Sequence, residues 1–153
     1  MAMAKQAGLT GLINPLLLTL WVGALWMTAI TASVLFQTIP DRPLAGLVAG
    51  KLFTIVSYIG LVSGVWLLIQ RLASDGFAAF KQGLFWVVFM MWVLVLVGEF
   101  GIQPLLAQLK ASALPNDVMQ SVFASRFKTW HGVASIAYLV ECLLGIWLVI
   151  KSS

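Results

Sequence analysis

Long uncharged runs constrain the fold of this sequence more than any other feature. Four such runs occur, at 6–40, 52–70, 82–98 and 129–150, and they contain 35, 19, 17 and 22 residues. The only charged residue inside any of them is Glu141, in the last run. A helix that crosses the hydrocarbon core of a bilayer needs about 20 mostly apolar residues. The spacing therefore predicts four membrane-spanning helices, at about 12–36, 45–69, 82–108 and 127–150, in a single transmembrane domain over residues 1–153.

Composition supports a lipid environment and argues against several classes of protein. Of the 153 residues, 61% are hydrophobic and 9% are charged, whereas a soluble domain carries about 25% charged residues. The nine lysines and arginines are scattered, so no basic stripe is present to follow a nucleic acid. We expect the lipid bilayer to be the main partner and nucleic acid not to be one.

The pattern of the apolar runs favours helices over barrel strands, which would alternate apolar and polar residues. The run 93–97 is Val-Leu-Val-Leu-Val and does not alternate. Turn residues separate the spans at 37–43, 71–76 and 111–117, and residues 118–128 read as a short interfacial helix. The fold prediction is an all-α, integral membrane, antiparallel four-helix bundle with both termini on one side. The cations are almost equally divided between the two sides, but Lys51, Arg126 and Lys128 on the other side fall within helix ends, which favours the cytoplasm for the termini.

Glycines on the second predicted helix form a stripe that is typical of helix packing. Gly46, Gly50, Gly60 and Gly64 share one face, as two small-x-x-x-small pairs. Helices in lipid associate largely through close packing at small residues. We predict that this stripe packs against a neighbouring helix.

Ionisable residues inside the spans are the candidates for function, because such residues are costly in a membrane. The predicted polar interior contains Glu99, His131 and Glu141, with Ser57 and Tyr138 nearby. A kink or helix end at Pro104 would bring Glu99 and His131 to similar depths, and we expect them to pair. The alternative is that the carboxylates point outward and meet a cation on a partner helix.

The sequence contains few residues or motifs that would indicate catalysis or cofactor binding. It has one cysteine and one histidine, and no hydrolase, metalloprotease or phosphate-loop motif. We therefore expect no enzyme activity and no cofactor. The weak candidates for soft-metal ligands are His131, Cys142, Met90 and Met91.

Two stretches resemble a known family of small membrane proteins. The first is Val-Leu-Phe-Gln-Thr-Ile-Pro at 34–40, followed by Ala-Gly-Leu-Val-Ala-Gly-Lys-Leu-Phe at 45–53. The second is Ile-Gln-Pro at 102–104, followed by Phe123 and by Phe-Lys-Thr-Trp-His-Gly-Val-Ala-Ser at 127–135. Both are similar to the transmembrane protein 205-like family, also called domain of unknown function 4149. The resemblance implies a bacterial four-helix protein of the inner membrane. An animal member of the family is associated with the export of soft-metal complexes, so the resemblance also implies that activity as one possibility.

Two functional hypotheses remain open from the sequence. In the first, the protein transports or handles a small solute or soft-metal ion through its polar interior. In the second, it is a structural or accessory subunit whose glycine face packs against a second copy or another membrane protein. Carboxylates that share an interior cavity would favour the first hypothesis, and outward carboxylates the second.

Overall fold

The computed structural model describes residues 2–114 and 117–152, and these residues are almost entirely helical. No strand occurs among them, so the predicted all-α fold is confirmed. Five α-helices follow one another along the chain: α1 (Ala2–Thr38), α2 (Arg42–Asp75), α3 (Gly83–Leu96), α4 (Gln103–Ala113) and α5 (Ala124–Ser152). A π-helical segment, Val97–Ile102, joins α3 to α4 without a break, so the two helices form one span.

Four segments are long and apolar enough to cross a membrane: Gly11–Thr38, Arg42–Lys81, Gly83–Ala113 and Ala124–Ser152. Three of them contain the corresponding predicted span, and the third begins one residue after its predicted start. All four extend beyond the predicted C-terminal ends. The short helix predicted at 118–128 is instead a 3₁₀ turn, Val118–Gln120, and α5 begins at Ala124. Part of the predicted loop at 111–117 is helical, since α4 runs to Ala113, and residues 115 and 116 lie outside the described part of the chain.

Local chemistry explains where α2 begins and ends. The Asp41 carboxylate accepts a hydrogen bond from the Leu44 amide at 3.1 Å, which caps the helix N-terminus. Pro43 lies in the first turn, where its missing N–H costs nothing. At the other end Gly76 has a φ of 54°, a conformation that favours glycine, and its N–H binds the Leu72 carbonyl.

The third span contains a π-helical segment where a proline kink was expected. Pro104 occupies the first turn of α4, and the segment Val97–Ile102 directly precedes it. A proline removes one helical hydrogen bond and crowds the preceding turn. The wider π-helical turn accommodates that disturbance, and it contains Glu99. Such segments are often found at functional sites.

The four spans form a ring in which each packs on two neighbours. Among the described residues, α1 packs on α2 and α5, and α3 packs on α2 and α5. No Cα atoms of the diagonal pairs, α1 with α3 and α2 with α5, lie within 8 Å of each other. The centre of the ring is filled by large side chains: Leu18, Trp21, Val22, Leu25, Val56, Val88, Met91, Val95, Cys142 and Leu148.

Apolar side chains also cover the outside of the bundle. Leu16, Val62 and Ile136 lie on three different spans, and each is 66–67% exposed. A water-soluble protein rarely exposes so much contiguous apolar surface. The outer face therefore fits contact with lipid.

Candidate functional site

Glu141 is the most deeply buried carboxyl group of the bundle. It lies on α5, is 5% exposed, and its Oε1 atom has no hydrogen-bond partner. No cation neutralises it, because the one ion pair among the described residues joins Arg71 to Asp75 at 3.8 Å. The structure thus places an unpaired carboxyl group in the interior, well inside the membrane-spanning part of α5.

The Trp21 indole of α1 faces this carboxyl group. Trp21 is fully buried, and neither its Nε1 nor the Glu141 Oε1 meets the geometry of a hydrogen bond. A buried donor and a buried acceptor therefore lie side by side, each with unused bonding capacity. Leaving such groups unsatisfied is costly, so the pair is the strongest chemical feature of the interior. We call Trp21, Tyr138 and Glu141 the interior polar layer.

Gly60 and Gly64 of α2 provide the space for the indole. A Cβ atom at Gly60 would lie 2.6 Å from Trp21 Nε1, and one at Gly64 would lie 2.5 Å from Trp92 Cδ1. These two glycines thus lie in the packed interior, but they receive indole rings from α1 and α3 instead of the backbone of a neighbouring helix. Trp92 is fixed by a hydrogen bond from its Nε1 to the Leu61 carbonyl at 3.2 Å.

Tyr138 lies one helical turn before Glu141 and ties α5 to two other helices. Its hydroxyl donates to the Leu25 carbonyl of α1 at 2.7 Å, and its ring meets Phe53 of α2 edge-on at 4.9 Å. The hydroxyl also lies beside Thr28. Ser57, which was predicted to join the interior, is half-buried on α2, one turn before Gly60.

Thr28 links the interior polar layer to a cleft between α1 and α2. The cleft has a volume of about 230 Å³, and Thr28 and Thr31 contribute the hydroxyl groups of its lining. Polar groups therefore follow one another from Thr31 through Thr28 and Tyr138 towards Glu141. These side chains place polar groups between the cleft and the buried carboxyl group.

Glu99 belongs to a different site. It lines a groove of about 670 Å³ between the first half of α2 and the segment made of the π-helical turn and α4. Its Oε2 atom is buried and has no hydrogen-bond partner. No Cα atom of α2 lies within 8 Å of one in α4, which leaves the groove open. We call this site the α2–α4 groove.

Gly46 and Gly50 form part of this groove, which differs from their predicted role in packing. A Cβ atom at Gly50 would have no neighbour within 4 Å. One at Gly46 would meet only side-chain ends, Lys110 Nζ at 3.8 Å and Phe36 Cζ at 3.9 Å. The stripe is therefore divided, because α2 packs closely in its second half and diverges from α4 in its first.

His131 does not pair with Glu99, contrary to the prediction. It is exposed near the start of α5, where its ring stacks on Phe127 with centroids 5.7 Å apart. Glu99 lies 14 residues before the end of α4 at Ala113, and His131 lies 7 residues after the start of α5 at Ala124. Their depths differ by about 10 Å at 1.5 Å per residue. The longer helices separate the two groups further than the predicted boundaries implied.

The candidate metal ligands do not converge either. Met90 is 53% exposed, whereas Met91 is fully buried in the core. His131 is exposed, and Cys142 is buried eleven residues further along α5, about 16 Å away by helical rise. Within residues 2–114 and 117–152, no group of three His, Cys, Asp or Glu residues could hold a metal ion.

Two polar contacts in the interior were not predicted from the sequence. Tryptophan in a spanning helix is most often an anchor at the membrane interface, and this default hides an interior role for Trp21. Its position in the middle of the first span, away from either end, was the available signal. The second contact joins Trp66 Nε1 to Asn14 Oδ1 at 3.0 Å and ties α2 to α1; an asparagine within a span was the available signal there.

These features define an α-helical integral membrane protein of four spans, with one buried polar layer and one open polar groove. The chain belongs to the family described as "Domain of unknown function (DUF4149)", whose match covers residues 16–115. That range includes α1 from residue 16 onward, all of α2, α3 and α4, and the α2–α4 groove, while α5 with Glu141 lies beyond it. No curated protein and no solved structure matches this chain.

Proposed function

We propose that this protein handles a small solute within a bacterial inner membrane, with its termini in the cytoplasm, and that Glu141 is the residue the solute meets. The observation that carries the proposal is the unpaired Glu141 carboxyl group beside the unpaired Trp21 indole. The similarity to transmembrane protein 205-like proteins supports the bacterial membrane location. A soft-metal ion is not the solute we favour, because the candidate ligands lie apart.

The free-energy cost of placing a carboxyl group inside the membrane indicates that Glu141 has a role beyond packing. An acidic residue at the centre of a spanning helix costs about 2.5–3.5 kcal/mol on insertion scales. A glutamine of similar volume would fill the same space without a charge, and no cation within residues 2–114 and 117–152 pairs with Glu141 to offset the cost. Ionisable residues in such positions commonly mark substrate or ion pathways.

The arrangement of donor and acceptor indicates how a solute would bind. The Glu141 carboxyl oxygen accepts a hydrogen bond or pairs with a cation, and the adjacent Trp21 N–H donates one. A proton carried on water, or a small hydrated cation, would satisfy both groups, because the positive charge meets the carboxyl oxygen and the water oxygen can accept from the indole N–H. Thr31, Thr28 and Tyr138 supply hydroxyl groups along the approach from the α1–α2 cleft.

Flux across reconstituted vesicles tests this proposal. We expect vesicles that contain the protein to pass protons or a small monovalent cation, measured with entrapped indicator dyes. Glu141→Gln should lower that flux by about tenfold or more, since it removes the charged acceptor and keeps the volume. Glu99→Gln makes the same chemical change in the α2–α4 groove and should retain the flux. Equal flux in wild type and Glu141→Gln, or none above empty vesicles, would contradict the proposal.

A second candidate function is that of an accessory subunit. The separation of α2 from α4, with Glu99 between them, favours this alternative, because a partner helix could fill the groove and supply a cation to Glu99. This function predicts a protein partner or a second copy that cross-links to groove residues in native membranes.

A further inference from the structure

The α2–α4 groove has charges of opposite sign at its two ends. Lys110 lies three residues before the end of α4, and Lys51 lies on the facing wall of α2. Glu99 lies deeper, on the π-helical turn, with one oxygen buried and without a partner. Neither lysine makes an ion pair within the described part of the chain. The groove therefore presents two cations without an ion-pair partner towards the membrane surface and one acceptor without a hydrogen-bond partner towards the interior.

Lys110 is held over the mouth of the groove. Its Nζ lies 5.7 Å from the centre of the Phe127 ring, a cation–π contact that ties it to α5. The same Nζ would lie 3.8 Å from a Cβ atom at Gly46. The ammonium thus reaches across from α4 to α2, close to the helix ends, where lipid phosphates lie.

Depths along the helices set the size of a ligand that could touch both ends. Lys110 is level with Gly46, and Lys51 is five residues deeper on α2, about 8 Å by helical rise. Glu99 is eleven residues from Lys110, about 16 Å deeper, so Lys51 and Glu99 differ by about 9 Å. This difference in depth between Lys51 and Glu99 suits a short zwitterion with one hydrogen bond of about 2.9 Å at each end.

We propose that the α2–α4 groove binds a phosphoethanolamine group, with its phosphate towards Lys51 and Lys110 and its primary ammonium on Glu99. The phosphate and the ammonium of this group are joined by two carbon atoms. In a lipid bound this way the headgroup is folded inward, with its ammonium deeper than its phosphate, and the acyl chains leave the open side of the groove into the bilayer. A primary ammonium can donate hydrogen bonds to the buried Glu99 oxygen, which a trimethylammonium cannot do. An anionic headgroup without an amine would satisfy the lysines and leave Glu99 without a partner. The open floor at Gly50 leaves room for the ligand.

Native mass spectrometry of the full-length protein in detergent tests this inference. The probes are phosphatidylethanolamine, phosphatidylcholine and phosphatidylglycerol with identical acyl chains. We expect wild type to retain phosphatidylethanolamine about tenfold better than the other two, because only this headgroup forms charge-assisted bonds at both ends. Equal retention of phosphatidylethanolamine and phosphatidylcholine would overturn the proposal, and this comparison needs no variant.

Variants test which residues bind the ammonium end of the ligand and which bind its phosphate end. Glu99→Gln should abolish the preference for phosphatidylethanolamine over phosphatidylcholine. Lys51→Gln should weaken the binding of all three lipids, while Lys128→Gln, a lysine at the same end of the bundle outside the groove, should not. Glu141→Gln should also leave the preference unchanged, which separates this inference from the proposed function. A preference that survives Glu99→Gln would overturn the assignment.

Two further experiments distinguish a lipid headgroup from a soluble ligand as the source of the phosphoethanolamine group, and test whether a polypeptide occupies the groove instead. Competition by free O-phosphoethanolamine would indicate a soluble ligand, and its absence would indicate the lipid itself. A photocross-linking residue in place of Leu47, which lines the groove, should capture lipid in native membranes when the lipid is the source. Capture of a polypeptide at Leu47 would contradict the proposal and favour a partner helix.

Discussion

Gly60→Leu is expected to destabilise the bundle severely, whereas Gly50→Leu should leave its stability nearly unchanged. A Cβ atom at Gly60 already lies 2.6 Å from Trp21 Nε1 and 3.2 Å from Val95 Cγ2. The rest of a leucine side chain would have to displace a fully buried indole. Overpacking of this kind typically costs about 1–3 kcal/mol and sometimes more. The measurement is the free energy of unfolding in mixed micelles.

Gly50→Leu is the matched control for this experiment. It makes the same substitution on the same helix, about ten residues away, with no neighbour within 4 Å of the new Cβ atom. A smaller change, Gly60→Ala, should already lower stability, because the first added atom meets the indole ring. Similar losses at Gly50 and Gly60 would contradict the division of the glycine stripe into a packed half and an open half.

Trp21→Ala should cost about 3–5 kcal/mol, the range for removing a large aromatic side chain from a packed core. Trp21 is the largest fully buried side chain of the bundle and contacts both glycines of the packed half. Its loss leaves a cavity beside the Glu141 carboxyl group. Trp147→Ala is the control, since Trp147 lies on α5 with 40% of its surface exposed, and we expect a much smaller effect in the same unfolding experiment.

The double variant Trp21→Ala with Gly60→Ala tests the contact itself. If the indole is what Gly60 mainly makes room for, most of the cost of Gly60→Ala should disappear once the indole is gone, and only the contact with Val95 Cγ2 at 3.2 Å should remain. Residues in contact show such non-additivity, and distant ones do not. Additive losses would show that Gly60 is constrained by something other than Trp21.

Much of the fold follows from where the charges are. Four uncharged runs of spanning length leave a chain few alternatives in lipid, and turn residues separate them. The exact helix ends were harder to predict, because α4 continues to Ala113 and α5 already begins at Ala124. That difference of a few residues at each end moved His131 and Glu99 out of reach of each other.

The interior polar layer could be predicted only in part. Glu141 and Tyr138 stand out because polar residues within a span are rare. Trp21 does not, since tryptophan is apolar enough for lipid and common at interfaces. Its role depends on the space left by Gly60 and Gly64 on another helix, and a small-residue stripe does not reveal whether a backbone or an indole fills it.

The two intramembrane carboxyl groups illustrate what sequence spacing leaves undetermined. Glu99 and Glu141 were expected to share one interior. Glu99 lies where α2 and α4 diverge, and Glu141 lies where α5 packs against α1. Which helices diverge depends on side-chain packing along the whole length of each contact, and single-span periodicity does not contain that information.

Alkylation of cysteines placed at the two carboxyl positions tests most directly whether the bundle has one buried site and one open site. Glu99→Cys and Glu141→Cys would each be made in a Cys142→Ala background and treated with N-ethylmaleimide in the folded state. We expect Cys at position 99 to react readily and Cys at position 141 to react only after denaturation in SDS. Equal reactivity of the two positions in the folded protein would contradict the account.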